Sequence, residues 1–159
     1  MKLSIIIKSQ EDFKLILPLR EQIDKVQKEG KYLFYRFLCL CNEESHNTFK
    51  NCLKKYKLNV PYSILEFEEQ DLIKNQGVVI EQLREEIFRN PAESILLIGW
   101  DDLNSNISLL ASEYKIKTLL IDSIDTQESI NGQYDYIFST TDPDCWSNLV
   151  ETIIKIYKL

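Results

Sequence analysis

The chain has 159 residues, 44% of them hydrophobic, and a formal net charge of −6. It is long enough to bury a conventional core as one domain over residues 1–159, and its acidic balance argues against a nucleic-acid partner, whose phosphates demand clustered lysine and arginine. No apolar stretch approaches the ~20 residues of a membrane helix, and the run from Leu3 to Ile7 is too short for a signal peptide, so a cytoplasmic protein is expected.

Along the chain, short apolar runs alternate with amphipathic stretches. Strands are predicted at Leu3–Ile7, Leu33–Leu40, Tyr62–Phe67, Ile95–Ile98, Thr118–Ile121 and Tyr136–Phe138, each with a helical pattern after it. The first helix carries Phe13, Ile16, Leu19, Ile23 and Val26 and stops at Gly30; the second carries Phe49, Cys52, Leu53 and Tyr56. Lys54, Lys55 and Lys57 read as a solvated helix face. A third helix over about Gln70–Asn90 uses Leu72, Ile73, Val79, Ile80, Leu83 and Ile87, and tolerates Gly77. The stretch Ile95–Asp122 is the most informative. An apolar run ends at Gly99, Leu103, Ile107, Leu110, Ala111 and Tyr114 share one helical face, and Thr118–Ile121 form a second apolar run. The last helix is expected to start at Asp142 as its cap with Pro143 behind it. Trp146, Leu149, Val150, Ile153, Ile154, Ile156 and Tyr157 give that helix an apolar surface wider than a one-sided helix needs, which would suit a homodimer or another protein partner.

Such alternation implies an α/β fold: a single doubly wound parallel sheet of about six strands, Rossmann-like, in the order 3-2-1-4-5-6, because parallel crossovers are right-handed and short. Ligands in these sheets bind beyond the carboxyl ends of the strands, where the order reverses between strands 1 and 4. That edge presents Lys8, Ser9 and Gln10, then Gly99, Trp100, Asp101 and Asp102, then Asp122 and Ser123.

The motifs that would name a chemistry are missing. Neither GxGxxG nor GxxxxGK[ST] occurs. Gly99 reads as a tight turn into a helix or as a turn that also touches a ligand. Asp101 and Asp102 read as paired carboxylates for acid/base work or as a helix cap, and Trp100 as packing or as a stacking platform for a ring or sugar. Asp122, one residue past an apolar run, has either a structural or a crevice-facing role. Cys39, Cys41, Cys52 and Cys145 form no CxxC pair and read as buried free thiols, and with His46 alone a His/Cys metal site has poor support, so neither metal nor cofactor is expected.

Two segments resemble the amino-terminal domain of the UDP-N-acetylglucosamine 2-epimerases and their hydrolysing relatives, which have a GT-B glycosyltransferase-like architecture. The opening MKLSIIIKSQEDFKLILPLREQI follows the family's pattern of an apolar strand and TGTRADYGLLRPLL without gaps, with Asp12, Phe13, Leu15, Pro18 and Leu19 at matching places. Pro18 is the telling match, since proline inside a helix costs about 3 kcal/mol. The second segment, Gly99–Asp122, follows the family's GDT(x)SALAAALAAFYLGIPVAHVEAG without gaps. The resemblance implies a nucleotide-sugar or glycan ligand.

The departures fall on the functional positions. The family's glycine and arginine after strand 1 are Lys8 and Gln10, the aspartate of its GD pair falls on Trp100, and the histidine of its HxE falls on Leu120. Asp122 alone keeps the acidic position and is the one catalytic candidate. The family's PEExxR element has no counterpart between Ser123 and Tyr134, and its carboxy-terminal, nucleotide-holding domain has none in this chain. Three readings follow: a catalytically degenerate, stand-alone module that binds a ligand or partner through Ser9, Gln10, Gly99, Trp100, Asp101 and Asp122; the acceptor-side subunit of a split GT-B glycosyltransferase; or a homodimeric interaction scaffold.

Overall fold

The isoleucine- and leucine-rich runs are strands in the computed structural model, which describes residues 2–122 and 133–158. They are β1 (Lys2–Ile7), β2 (Phe34–Cys41), β3 (Tyr62–Glu66), β4 (Ser94–Ile98), β5 (Lys117–Asp122) and β6 (Tyr136–Ser139), each within one residue of the predicted bounds. They form one all-parallel sheet in the expected order β3-β2-β1-β4-β5-β6. β1 is central, with Leu3 opposite Tyr35 on one side and Ser94 on the other.

The helices are α1 (Gln10–Leu15), α2 (Leu17–Lys28), α3 (Glu43–Lys55), α4 (Glu69–Ile73), α5 (Gln76–Arg89), α6 (Asp102–Glu113) and α7 (Cys145–Tyr157). Because successive strand residues point to opposite faces, the sheet separates two cores. Leu3, Ile5 and Ile7 pack against α1, α2, α3 and α7 through Phe13, Leu19, Ile23, Phe49 and Leu149. Ile6, Leu38, Leu97 and Leu120 pack against α5 and α6 through Val79, Leu83, Leu103 and Ile107. Phe13 meets Phe37 and Phe49 edge-on, with centroids 5.8 and 5.7 Å away, and so ties α1 to β2 and α3. All four cysteines are free and buried, and burial pushes the Cys39 thiol up to about 12.

Several helices depart from the sequence reading. The first is two helices, broken at Ile16, because Pro18 has no N–H for the carbonyl of Lys14 and sits instead in the first turn of α2, where none is needed. The third also divides, at Lys74–Asn75 and not at Gly77: the Asn75 N–H turns back to the Gln70 carbonyl at 3.1 Å, and asparagine favours such turns. The last helix starts at Cys145 with Asp144 as its cap residue, while Asp142 caps the preceding turn by accepting the Asp144 N–H at 2.9 Å. Tyr114 ends α6 half exposed instead of joining its buried face. The helical pattern expected between β5 and β6 falls on residues 123–132, outside the described residues.

The wide apolar girth of α7 is covered only in part within the chain. Leu149, Val150 and Ile153 are buried, and Trp146, Ile154 and Ile156 pack against the same core beside α2. Among the described residues no helix is long and apolar enough to cross a membrane, and no group of three or more histidine, cysteine or acidic side chains is placed to hold a metal ion.

Candidate functional site

At the centre of the sheet β1 and β4 lie side by side, and helices leave their carboxyl ends toward opposite faces, α1 over one core and α6 over the other. This is the switch point where doubly wound sheets open a crevice. Gly99 makes the turn after β4 with φ +82°, a left-handed conformation that favours glycine, and its N–H donates to the Ile121 carbonyl at 2.8 Å. Asn104, fully buried in the first turn of α6, holds that turn from below: its side-chain amide donates to the carbonyls of Ile98, at 3.0 Å, and Gly99.

Asp101, not Asp102, is the cap of α6; its Oδ1 accepts the Asn104 N–H at 2.7 Å. Its Oδ2 is paired with the Lys8 ammonium, which links the end of β1 to the start of α6. Asp12 faces the same space from α1 and accepts the N–H groups of Lys8 and Ser9 at 2.8 and 3.2 Å. Burial lifts the Asp12 carboxyl above its ordinary range, against the pull of those two hydrogen bonds and of the Lys8 charge.

Two adjoining cavities result, with Asp12 and Ile98 in the walls of both. One, of about 350 Å³, is lined by Lys8, Ser9, Asp101 and Leu103 as well. The other, of about 460 Å³, adds Glu11, Lys14, Gly99 and Asp122. Of the residues predicted for the site, the structure thus brings Ser9, Gly99, Asp101 and Asp122 into the walls. Gln10 and Trp100 stand exposed, Trp100 at 48%, and belong to neither wall.

Asp12, matched to the family pattern, was not named as a site residue from the sequence, and neither were Asn104 and Tyr134. For Asp12 a signal existed in the spacing Ser9-x-x-Asp12, which resembles a capping box. The Tyr134 hydroxyl is buried; burial raises its pKa, Ser105 pulls it back, and the Asp101 and Asp122 carboxylates push it up. Leu120, at the family's histidine position, is wholly buried in the core.

A larger groove, of about 710 Å³, lies away from the switch point, beyond β2 and β3. Six carboxylates line it, from Glu43, Glu44, Glu66, Glu68, Glu69 and Asp71, without a lysine or arginine. The crevice is nevertheless the better candidate, since the topology converges there and the groove sets six acids without a cation.

No protein-family model matches the sequence, and no curated protein matches it. Solved structures do. UDP-GlcNAc 2-epimerase from Neisseria meningitidis, bound to UDP-GlcNAc, aligns over 97% of this chain and 44% of its own, with a TM-score of 0.68 at 15% identity. The fold resembles the amino-terminal half of a UDP-GlcNAc 2-epimerase. The Methanocaldococcus jannaschii epimerase, in complex with UDP-GlcNAc and UDP, aligns over 96% of this chain and 44% of its own, with a TM-score of 0.64 at 17% identity. MurG of Acinetobacter baumannii aligns over 90% and 43%, with a TM-score of 0.56 at 12% identity, which extends the likeness to the GT-B-like fold. The chain therefore spans less than half the length of the epimerases it resembles, and the likeness is one of fold.

Proposed function

We propose that the chain is a binding module without turnover of its own, which receives a sugar-type ligand in the crevice between β1 and β4. One observation carries this reading: the crevice walls are formed, yet they hold carboxylates and two lysines already engaged in ion pairs, with no histidine or arginine. Epimerisation needs acid and base groups on both sides of a sugar, and of the positions that carry them in the resembled family only Asp122 is still acidic here. Asp122 then acts as a hydrogen-bond acceptor beside Ser9, Gly99 and Asp101, with Gln10 and Trp100 at the rim. The likeness to structures that hold UDP-GlcNAc supports the ligand class, and the four free thiols suit the reducing cytoplasm.

A thermal-shift measurement with N-acetylglucosamine, UDP and UDP-N-acetylglucosamine, run beside a turnover assay, tests the reading. The expected result is a raised Tm with a sugar-bearing ligand, lost in Asp122→Ala, and no product. Turnover by the pure chain overturns it. The half-length match supports a second reading, in which the chain is the acceptor-side part of a split GT-B glycosyltransferase; co-purification that yields no second subunit counts against that.

A further inference from the structure

We infer that the crevice rejects phosphate and takes an uncharged, hydroxyl-rich ligand of about monosaccharide size. The inference rests on the crevice reading above and comes from the charges in the walls, together with the donors that the protein itself engages. A phosphate at a switch point is held by backbone N–H groups at helix starts and by a nearby cation. Here several donors at this edge are already taken within the protein, and so are both lysines. The N–H groups of Lys8 and Ser9 both donate to Asp12 Oδ2, at 2.8 and 3.2 Å. In the first turn of α6, the Asn104 N–H donates to Asp101 Oδ1 at 2.7 Å. The Lys8 ammonium pairs with Asp101 and that of Lys14 with Glu11 at 3.5 Å, and the two walls contain no other lysine or arginine.

What the walls offer instead are acceptors. Glu11, Asp12, Asp101 and Asp122 bring four carboxylates against two lysines. An ionised carboxylate only accepts, at about four lone-pair sites, so ligand hydroxyls can donate to oxygens that already take one internal bond. A phosphate is itself anionic and acceptor-only; it would have to displace Asp101 from Lys8 and then sit among the remaining carboxylates. The cavities, about 350 and 460 Å³, are at the lower end of small-molecule sites and have room for a single sugar ring. Over the Gly99 turn the space is open, with no atom beyond its two chain neighbours within 4 Å of where a Cβ would stand.

N-acetylglucosamine and its 1-phosphate differ only in the phosphate, which makes them the probes. Titrated into the isotope-labelled chain, the free sugar is expected to bind at least about tenfold more tightly than the 1-phosphate, a preference of roughly 1.4 kcal/mol, with the largest amide shifts at Ser9, Gly99 and Asp122. Asp101→Asn keeps a good capping side chain while it removes the charge and releases Lys8, and it should narrow that preference several-fold. Equal or tighter binding of the 1-phosphate, with shifts at those same amides, overturns the inference and leaves the crevice reading in place. An unchanged preference in the folded Asp101→Asn chain overturns its electrostatic basis. Shifts confined to other parts of the chain, or none with either probe, overturn the crevice reading and this inference together.

Discussion

Two ion pairs stand at opposite ends of the same strands and show how differently one chemistry is used. At the amino-terminal end Arg36, on β2, reaches Glu86 of α5 at 3.8 Å, and both side chains are 11% exposed. The pair is embedded in a network: Arg36 Nε donates to the Ser4 hydroxyl at 2.9 Å and a terminal guanidinium nitrogen to the Asn90 carbonyl, while Glu86 accepts from Ser63 at 3.1 Å and Asn90 at 3.4 Å. At the carboxyl end Lys8 pairs with Asp101, whose side chain is 49% exposed. The first pair clamps β1, β2, β3 and α5 together; the second closes over a cavity that solvent enters. A charge pair near this sheet therefore marks a site only where water reaches it.

That contrast is broken or upheld most directly by removing one cation from each pair. Arg36→Met leaves the Glu86 carboxylate buried and unpaired and is expected to cost about 3–5 kcal/mol in urea unfolding, with part of the loss recovered when Glu86→Leu is added. Lys8→Met is expected to cost less than about 1 kcal/mol, since its partner turns to solvent. Equal losses would show that Lys8–Asp101 is structural too, and would weaken the crevice as a ligand site.

A smaller effect separates two asparagines of α6. Asn104 is buried and its amide holds the Ile98 and Gly99 carbonyls, whereas Asn106 is exposed and donates to Gln76 at 2.8 Å. Asn104→Ala strands those carbonyls and is expected to lower stability by about 1–3 kcal/mol and to displace the Gly99 amide resonance. Asn106→Ala should stay within roughly 0.5 kcal/mol with Gly99 unmoved. An Asn104→Ala chain with an unshifted Gly99 amide would mean that the turn shapes itself.

The difference between Asn104 and Asn106 also explains what the sequence could tell. Strands were legible because an inner parallel strand is apolar on both faces, and the order followed from the handedness of crossovers. The Gly99 turn and a cap at Asp101 or Asp102 were legible because a turn and a cap are local devices, while the choice of Asp101 came only from the structure. Asn104 and Tyr134 were not: nothing in the polarity of Asn104 distinguishes it from Asn106, and Tyr134 reaches the neighbourhood of Asp101 only because β6 returns beside β5. The helix breaks at Ile16 and Asn75 were missed because apolar periodicity runs through both, while the backbone was decided by Pro18 and by an asparagine turn. Gln10 and Trp100 were placed at the right edge of the sheet, but their side chains lie outside the cavity walls.

The smallest expected effect concerns Asp12, the carboxylate shared by both cavities. Burial raises its pKa above the ordinary 3.8, so the folded state holds this proton more tightly than the unfolded state does. Between 3.8 and the folded midpoint the native chain then carries more of the proton, and unfolding free energy falls as pH rises through that window. The stability due to protonated Asp12 is full below 3.8 and lost above the folded midpoint, the reverse of a carboxylate held by a salt bridge. Asp12→Asn cannot titrate, so the difference in unfolding free energy between parent and variant should move against the parent as pH climbs, while a carboxyl titration reads the raised midpoint directly. A depressed midpoint would mean that Lys8 and Ser9 outweigh burial. The crevice would then be wetter and more tolerant of anions than its walls imply, and its preference against phosphate would narrow accordingly.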